Sequence, residues 1–313
     1  MPNIKKIAIV VQRYGLQVNG GAEVHARMIA EKLSQNYYVT VLTSCAIDYK
    51  TWAPVLEAGE SFENGIRILR FAPGKSRYRK HKTFNKLRER NPVQKIYKKL
   101  GRPQWWLKIF SSSLITPQDG INWLEAQGPY LPELIKYLHD NKDRFTAFIF
   151  FTALYYPSAM GVLTVPDKSI LIPTLHDEMP VYFAVYQKVM AAPRWIFFNT
   201  KAEQQFSDNI FPAAKCKKEI VAVGIDPVSE IKDENVLAHF GIKAPYIIYA
   251  GRVDEAKGCD VLLAYFIKFI NETNADIRLV FVGKITMEKK HHPHVTFTGF
   301  IDEQKKQQLI MQA

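Results

Sequence analysis

The sequence predicts an α/β protein built on parallel sheets and divided into a long first part and a shorter second part. Three observations predict it. Short continuous apolar runs alternate with stretches of helical periodicity, which is how strands buried on both faces read. The alternation restarts near Glu219. The chain has 313 residues, about two domains at roughly 150 residues each.

The first series opens with a buried strand at Ile7–Val11. Ala22, Ala26, Ile29 and Leu33 follow at spacings of four, three and four, which is one stripe of a helix. Tyr38–Thr43 and Ile66–Phe71 are the next strands. Ala147–Phe151, Ser169–Ile172 and Trp195–Asn199 continue the series, with runs of helical length at Pro180–Met190 and Lys201–Asp208. The second series is Glu219–Val223, Tyr246–Ala250, Ile277–Val282 and Val295–Thr298, with an apolar helix carrying Val261, Leu262, Tyr265, Phe266, Phe269 and Ile270. A last helix is expected over Glu303–Ala313. The domains are therefore read as 1–218 and 219–313. The second is short for a domain of about 150 residues, so it is expected to be truncated.

A segment at about 74–129 interrupts the first domain. It is basic and aromatic, with Tyr78, Phe84, Tyr97, Trp105, Trp106, Phe110 and Trp123. Between Lys75 and Lys108 there are thirteen Lys or Arg and one acid, Glu89, so this segment alone equals the chain's net +12. A helix is expected at Pro92–Leu100, with Lys95, Lys98, Lys99 and Arg102 on one face and Val93, Ile96, Tyr97 and Leu100 on another. That is the pattern of an interfacial amphipathic helix. An anionic membrane surface is the expected partner, a solvated loop the alternative. Nucleic acid is not expected, since no recognition motif accompanies the charge.

No apolar run approaches the roughly 18–20 residues of a membrane span. The N-terminus lacks an apolar core and a small-residue cleavage site, so export is not expected. Cys45, Cys216 and Cys259 are scattered, which argues for a reducing cytosol and against a disulfide framework or zinc site. His291, His292 and His294 read as a solvated loop, because no Cys or spaced acid joins them.

The most informative segment is Tyr249-Ala-Gly-Arg-Val-Asp-Glu-Ala-Lys-Gly-Cys-Asp-Val-Leu-Leu263. A strand runs into a glycine, Arg252 follows, and Lys257 and Gly258 precede an apolar helix. Two cations at a helix N-terminus with unpaired N–H groups suit a diphosphate. A surface turn with two solvated cations is the other reading. Near the amino end, Asn19-Gly-Gly-Ala-Glu23 lies between the first strand and helix. Gly20 and Gly21 allow close backbone approach to an anion there. Glu23 also reads as an acid placed on the helix dipole. A nicotinamide site is not expected: the glycines are adjacent, and Ser44 and Cys45, not an acid, end the second strand. Thr174-Leu-His176-Asp177-Glu178 follows a strand end, where ligands bind in open α/β folds. His176 can bond a sugar hydroxyl or steady charge. Alternatively Asp177 is a helix N-cap.

Taken in order, these segments resemble the retaining glycosyltransferases of family 4. Gly224-Ile225-Asp226 is similar to the family's G-[VI]-D turn, and Phe297-Thr-Gly299-Phe300-Ile301 to its F-x-G-x-[VI] strand end. The resemblance implies the GT-B fold, two Rossmann-like doubly wound domains with the second incomplete here. It implies transfer of a sugar from a nucleotide diphosphate sugar to a hydroxyl, with retention. Arg252 and Lys257 would hold the donor diphosphate with Gly20 and Gly21 shaping the site. His176 would be the catalytic residue, and Gly299 and Phe300 would lie on the nucleobase side. No cofactor and no metal is implied. The setting implied is surface polysaccharide or glycolipid assembly, with a saccharide or lipid-linked acceptor, in the cytoplasm or at the inner face of the membrane. Two departures stand out. Gly283-Lys284-Ile285-Thr286 replaces the usual glycine turn, and the family's E-x7-E pair has no counterpart after Phe297. The chain is accordingly expected to be weak or inactive in transfer. A non-catalytic nucleotide- or membrane-binding paralogue and a sugar-nucleotide epimerase of similar fold are the competing classes.

Overall fold

The computed structural model describes residues 4–18, 20–75, 116–224, 235–289 and 291–313. The chain forms two compact units, Met1–Val223 and Gly224–Ala313.

The first unit is built on an eight-stranded sheet. In chain order its strands are β1 (Lys6–Val10), β2 (Tyr38–Ser44), β3 (Gly59–Glu63), β4 (Ile66–Phe71), β5 (Ala147–Phe151), β6 (Ser169–Ile172), β7 (Trp195–Phe198) and β8 (Lys217–Ile220), arranged β3-β4-β2-β1-β5-β6-β7-β8. Every pairing is parallel except β3 with β4. Period-two alternation sends side chains to two cores. Ala8, Val10, Leu42, Phe148 and Phe150 pack on one face beneath α2 (Pro117–Gln127), α3 (Pro132–Asn141), α4 (Tyr156–Thr164) and α5 (Ala184–Ala191). Ile7, Ile9, Val39, Val41 and Phe151 pack on the other against Ala26 and Ala30 of α1 (Gly21–Ser34). Helix α6 (Lys201–Ile210) follows β7.

Three features differ from the sequence reading. Residues 117–127 belong to the core and not to the basic interruption. Helix α2 starts at a reciprocal cap between Thr116 and Asp119 and buries Trp123 and Leu124. The helix expected at Pro92–Leu100 lies outside the described residues. The strand expected to open the second domain at Glu219 is β8, paired with β7 on the edge of the first sheet. Its residues are mostly exposed and charged, as an edge strand requires, and Val221 and Val223 beyond it are about half exposed.

The second unit has a three-stranded parallel sheet, order β11-β10-β9, from β9 (Tyr246–Ala250), β10 (Arg278–Val282) and β11 (Val295–Gly299). Helices α7 (Val236–His239), α8 (Cys259–Thr273) and α9 (Glu303–Met311) surround it. Leu263, Phe266 and Ile270 of α8 pack on Leu279 and Phe281. Val236 and Leu309 pack with Tyr246, Val280 and Val282 on the opposite side. The fold is α/β, with a large and a smaller sheet, parallel but for the β3–β4 pair.

Candidate functional site

In the second unit the strands point their carboxyl ends to one edge, and that edge is made of glycine. The Gly251 N–H donates to the Val282 carbonyl at 2.9 Å and the Gly283 N–H donates to that of Gly299 at 2.8 Å. A Cβ at Gly283 would lie 1.9 Å from the Gly251 carbonyl oxygen, so only glycine permits the approach. Beyond the glycines, Val253 and Ile285 bridge the loops that follow β9 and β10. The departure seen at Gly283–Thr286 is therefore a backbone-to-backbone seam.

Asp254 organises the loop that carries the two cations. Its carboxylate accepts the Lys257 N–H at 2.9 Å, capping a single 3-10 turn at Glu255–Lys257, and pairs with the Arg252 Nε. Gly258 then takes a left-handed conformation, φ 71, and α8 begins. Tyr249 donates its hydroxyl to the Arg252 carbonyl at 3.1 Å. Burial is the first cause that pushes this phenol up to about 12. Arg252 and Lys257 are both exposed at this edge. Gly299, φ 73, and Phe300, 63% exposed, end β11 on the same edge. The structure thus brings Arg252, Lys257, Gly299 and Phe300 to one side of one sheet, flanking Gly283.

In the first unit, Gly20 is the extended N-cap of α1. A Cβ there would meet the Glu23 carboxylate at 2.0 Å, whereas one on Gly21 would meet nothing within 4 Å among the described residues. Glu23 is buried and accepts from Gln12 Nε2 at 3.0 Å and Arg13 Nε at 2.8 Å. Arg13 reaches on to the Ile47 carbonyl at 2.7 Å and lies over the Tyr49 ring. Glu23 therefore has specific cationic and amide partners in addition to the helix dipole. Its carboxylate accounts for glycine at 20, while Gly21 leaves open space at the helix start.

His176 is exposed in the loop after β6. Thr152 and Thr174, at the ends of the paired strands β5 and β6, both have positive φ, 65 and 48. Left-handed backbone at β-branched residues is strained and recurs at functional sites. The loop is held from behind by Glu203, 8% exposed. Its carboxylate accepts the Leu175 N–H at 2.8 Å and the Asn199 N–H at 2.9 Å. Burial raises the Glu203 pKa, and these N–H groups and His176 oppose the rise. Glu178 is likewise raised by desolvation against the pull of His176. Asp177 is not a helix cap: its carboxylate accepts the Tyr182 hydroxyl at 2.8 Å. The Ile225–Asp226 turn lies outside the described residues.

Glu203, Asp254 and Gly283 were missed as site residues. Two carried a signal: Thr200-x-x-Glu203 is a capping box pattern, and Asp254-x-x-Lys257 is an N-cap pattern.

Residues 244–313 match the family model described as Glycosyl transferases group 1. A comparison with curated proteins gives no match. Among solved structures, the chain is similar to Anabaena HepE in complex with UDP and glucose, at 15% identity and TM-score 0.56, covering 98% of this chain and 71% of that one. It is also similar to an α,α-trehalose-phosphate synthase (UDP-forming) from Burkholderia vietnamiensis, at 11% identity and TM-score 0.54, covering 97% and 75%. The N-terminal domain of Candida albicans trehalose-6-phosphate phosphatase is similar at 12% identity and TM-score 0.58, covering 99% and 75%. At these identities the likeness establishes the fold, α/β of GT-B type.

Proposed function

We propose that this protein is a glycosyltransferase that moves a sugar from a nucleotide diphosphate sugar to a hydroxyl acceptor, with retention and without a metal ion. The observation that carries the reading is the family match over 244–313, which contains the Arg252–Lys257 turn at the glycine edge of the second sheet. Negative charge grows on the departing diphosphate in such a transfer, and fixed cations and helix N–H groups stabilise it there. Lys257 supplies an exposed ammonium, and Asp254 holds Arg252 in place. Gly299 and Phe300 would meet the base, Gly21 would open the start of α1 with Gly20, and His176 would face the transferred sugar. The donor we favour is a uridine diphosphate sugar, because the Anabaena structure holds UDP and glucose. Retention, a hexose as the sugar, membership of family 4 and a role in surface polysaccharide or glycolipid assembly rest on the sequence motifs. A cytoplasmic setting rests on the scattered cysteines, and its placement at the inner face of a membrane on the basic segment. Among the described residues no helix is long and apolar enough to cross a membrane.

The test is calorimetric titration with UDP. Loss of one charge-assisted contact costs about 1.5–3 kcal/mol. Lys257→Ala should weaken binding by roughly ten- to a hundredfold in a folded protein. Equal affinity would remove the diphosphate assignment. UDP binding without transfer to any acceptor would favour the non-catalytic class, and conversion of the nucleotide sugar without acceptor the epimerase.

A further inference from the structure

The amino edge of the large sheet, opposite the loops of Gly20 and His176, holds a cavity of about 420 Å³ that the proposed transfer does not use. Lys6, Tyr38 and Arg67 stand at or next to the starts of β1, β2 and β4. Arg144 and Phe145 precede β5, and Tyr137 comes from α3. Arg67 is accounted for by an ion pair with Glu60 at 2.7 Å and a bond to Tyr137. The other two cations are not. Among the described residues Lys6 has no acidic partner and lies over the Tyr38 ring, 6.0 Å from its centroid. Among those residues Arg144 donates only to the Asn141 amide oxygen, at 3.0 Å.

Thr40 also lines the cavity. It is 1% exposed, and its hydroxyl is buried with no hydrogen-bond partner among the described residues. Most buried hydroxyls are satisfied, so one against a cavity marks a place for a ligand oxygen. Two unpaired cations and a free hydroxyl suit a group with several anionic oxygens. A phosphate has that form: it carries close to two charges and three strong acceptors, and Arg and Lys are the side chains that bind it. The volume exceeds that of a bare phosphate and falls in the common range for small ligands, about 300–1,000 Å³. The rings of Tyr38, Tyr137 and Phe145 offer a wall for an organic part.

We propose that this cavity is a second ligand site, for a phosphate monoester whose phosphate binds Lys6, Arg144 and the Thr40 hydroxyl and whose organic part lies on the aromatic wall. The full chain would be titrated calorimetrically with phenyl phosphate and with inorganic phosphate. We expect saturable binding of phenyl phosphate, tighter than inorganic phosphate. Lys6→Gln and Arg144→Gln should each weaken it about tenfold or more, with UDP affinity unchanged. Thr40→Val keeps the shape and removes the hydroxyl, so it should weaken binding several-fold without lowering the melting temperature. Inorganic phosphate binding as tightly as phenyl phosphate would overturn the role of the rings and assign the site to free phosphate. The proposal fails if neither probe saturates, or if both charge variants bind as the wild type does, which would place the binding elsewhere.

Discussion

Replacing Glu203 by glutamine asks whether a buried carboxylate holds the loop that carries His176. The carboxylate accepts the Leu175 N–H on one oxygen and the Asn199 N–H on the other, at 2.8 and 2.9 Å. Glutamine keeps the shape but has one acceptor oxygen, so one of the two N–H groups faces an amide NH2 and loses its partner. A hydrogen bond to a charged group contributes about 1.5–3 kcal/mol, and orphaning a buried donor costs about 1–3 kcal/mol. An opposing effect is readable in the structure. Burial raises the Glu203 pKa, so removing the charge recovers part of the desolvation cost. A net loss of about 2 kcal/mol follows. In a unit of this size each kcal/mol moves the melting temperature by about 2–4 °C. The expected fall is therefore about 4–8 °C. The assay is a thermal melt of Glu203→Gln beside wild type at pH 7.5, with transfer per folded molecule measured well below the transition. Turnover should fall as well, because Leu175, the residue before His176, loses its tether. A melting temperature within about 1 °C of wild type would refute the reasoning.

Gly283→Ala should destabilise the second unit by at least about 2 kcal/mol, because φ is 134 and the new Cβ would strike the Gly251 carbonyl; an unchanged denaturation midpoint would contradict the seam. His25 is buried against Phe151 and burial lowers its pKa below 6.5, so the unfolded chain binds more protons in mild acid. Its contribution to stability is full above pH 6.5 and is lost as pH falls toward the folded pKa, at up to about 1.4 kcal/mol per pH unit. The drop in melting temperature from pH 7.5 to 5.5 should shrink in His25→Phe, and an equal drop in both proteins would clear His25. The basic segment between Lys75 and Lys108 should carry the protein to anionic vesicles, at about 1 kcal/mol per cation in contact. Co-sedimentation should be salt-sensitive, absent with zwitterionic lipid and lost on removing residues 76–108; recovery in the supernatant with anionic lipid would end that idea.

The sequence made legible whatever depends on local pattern. The strands β1, β5, β6, β9 and β10 are largely apolar runs, and β2 and β4 set apolar residues among Thr and Arg; each was found within a residue or so. Strand β3 was missed because Gly59-Glu-Ser-Phe-Glu63 is half exposed on a sheet edge, where no apolar run is needed. Helix α2 was hidden by its basic, aromatic neighbourhood, although its Thr116–Asp119 capping box was there to read. The exposed cations at Arg252 and Lys257 and the strand-end placement of His176 were legible because strand-to-helix junctions carry ligands in this class of sheet. What holds them was not. Glu203 meets Leu175 across 28 residues only because β6 and β7 are neighbours, and Gly283 meets Gly251 only through the register of β9 with β10. Such partners are fixed by strand order, which period and composition do not encode.

The order of strands in the large sheet also sets a timetable for synthesis. Strand β1 sits in the middle, with β2 on one side and β5 on the other. Its first neighbour leaves the ribosome soon after it, but the second begins only at Ala147. At roughly 5–20 residues per second, Ile7–Val10 waits about 7–27 s with one backbone edge unpaired. The nascent half-sheet is an apolar template open to any passing strand. A ribosome arrested near residue 120 should recruit a holdase chaperone, and one arrested after β7 has emerged should release it; equal recruitment at both lengths would mean that the edge is shielded some other way. Slowing translation between the two halves would lengthen the exposure without altering one contact of the finished fold.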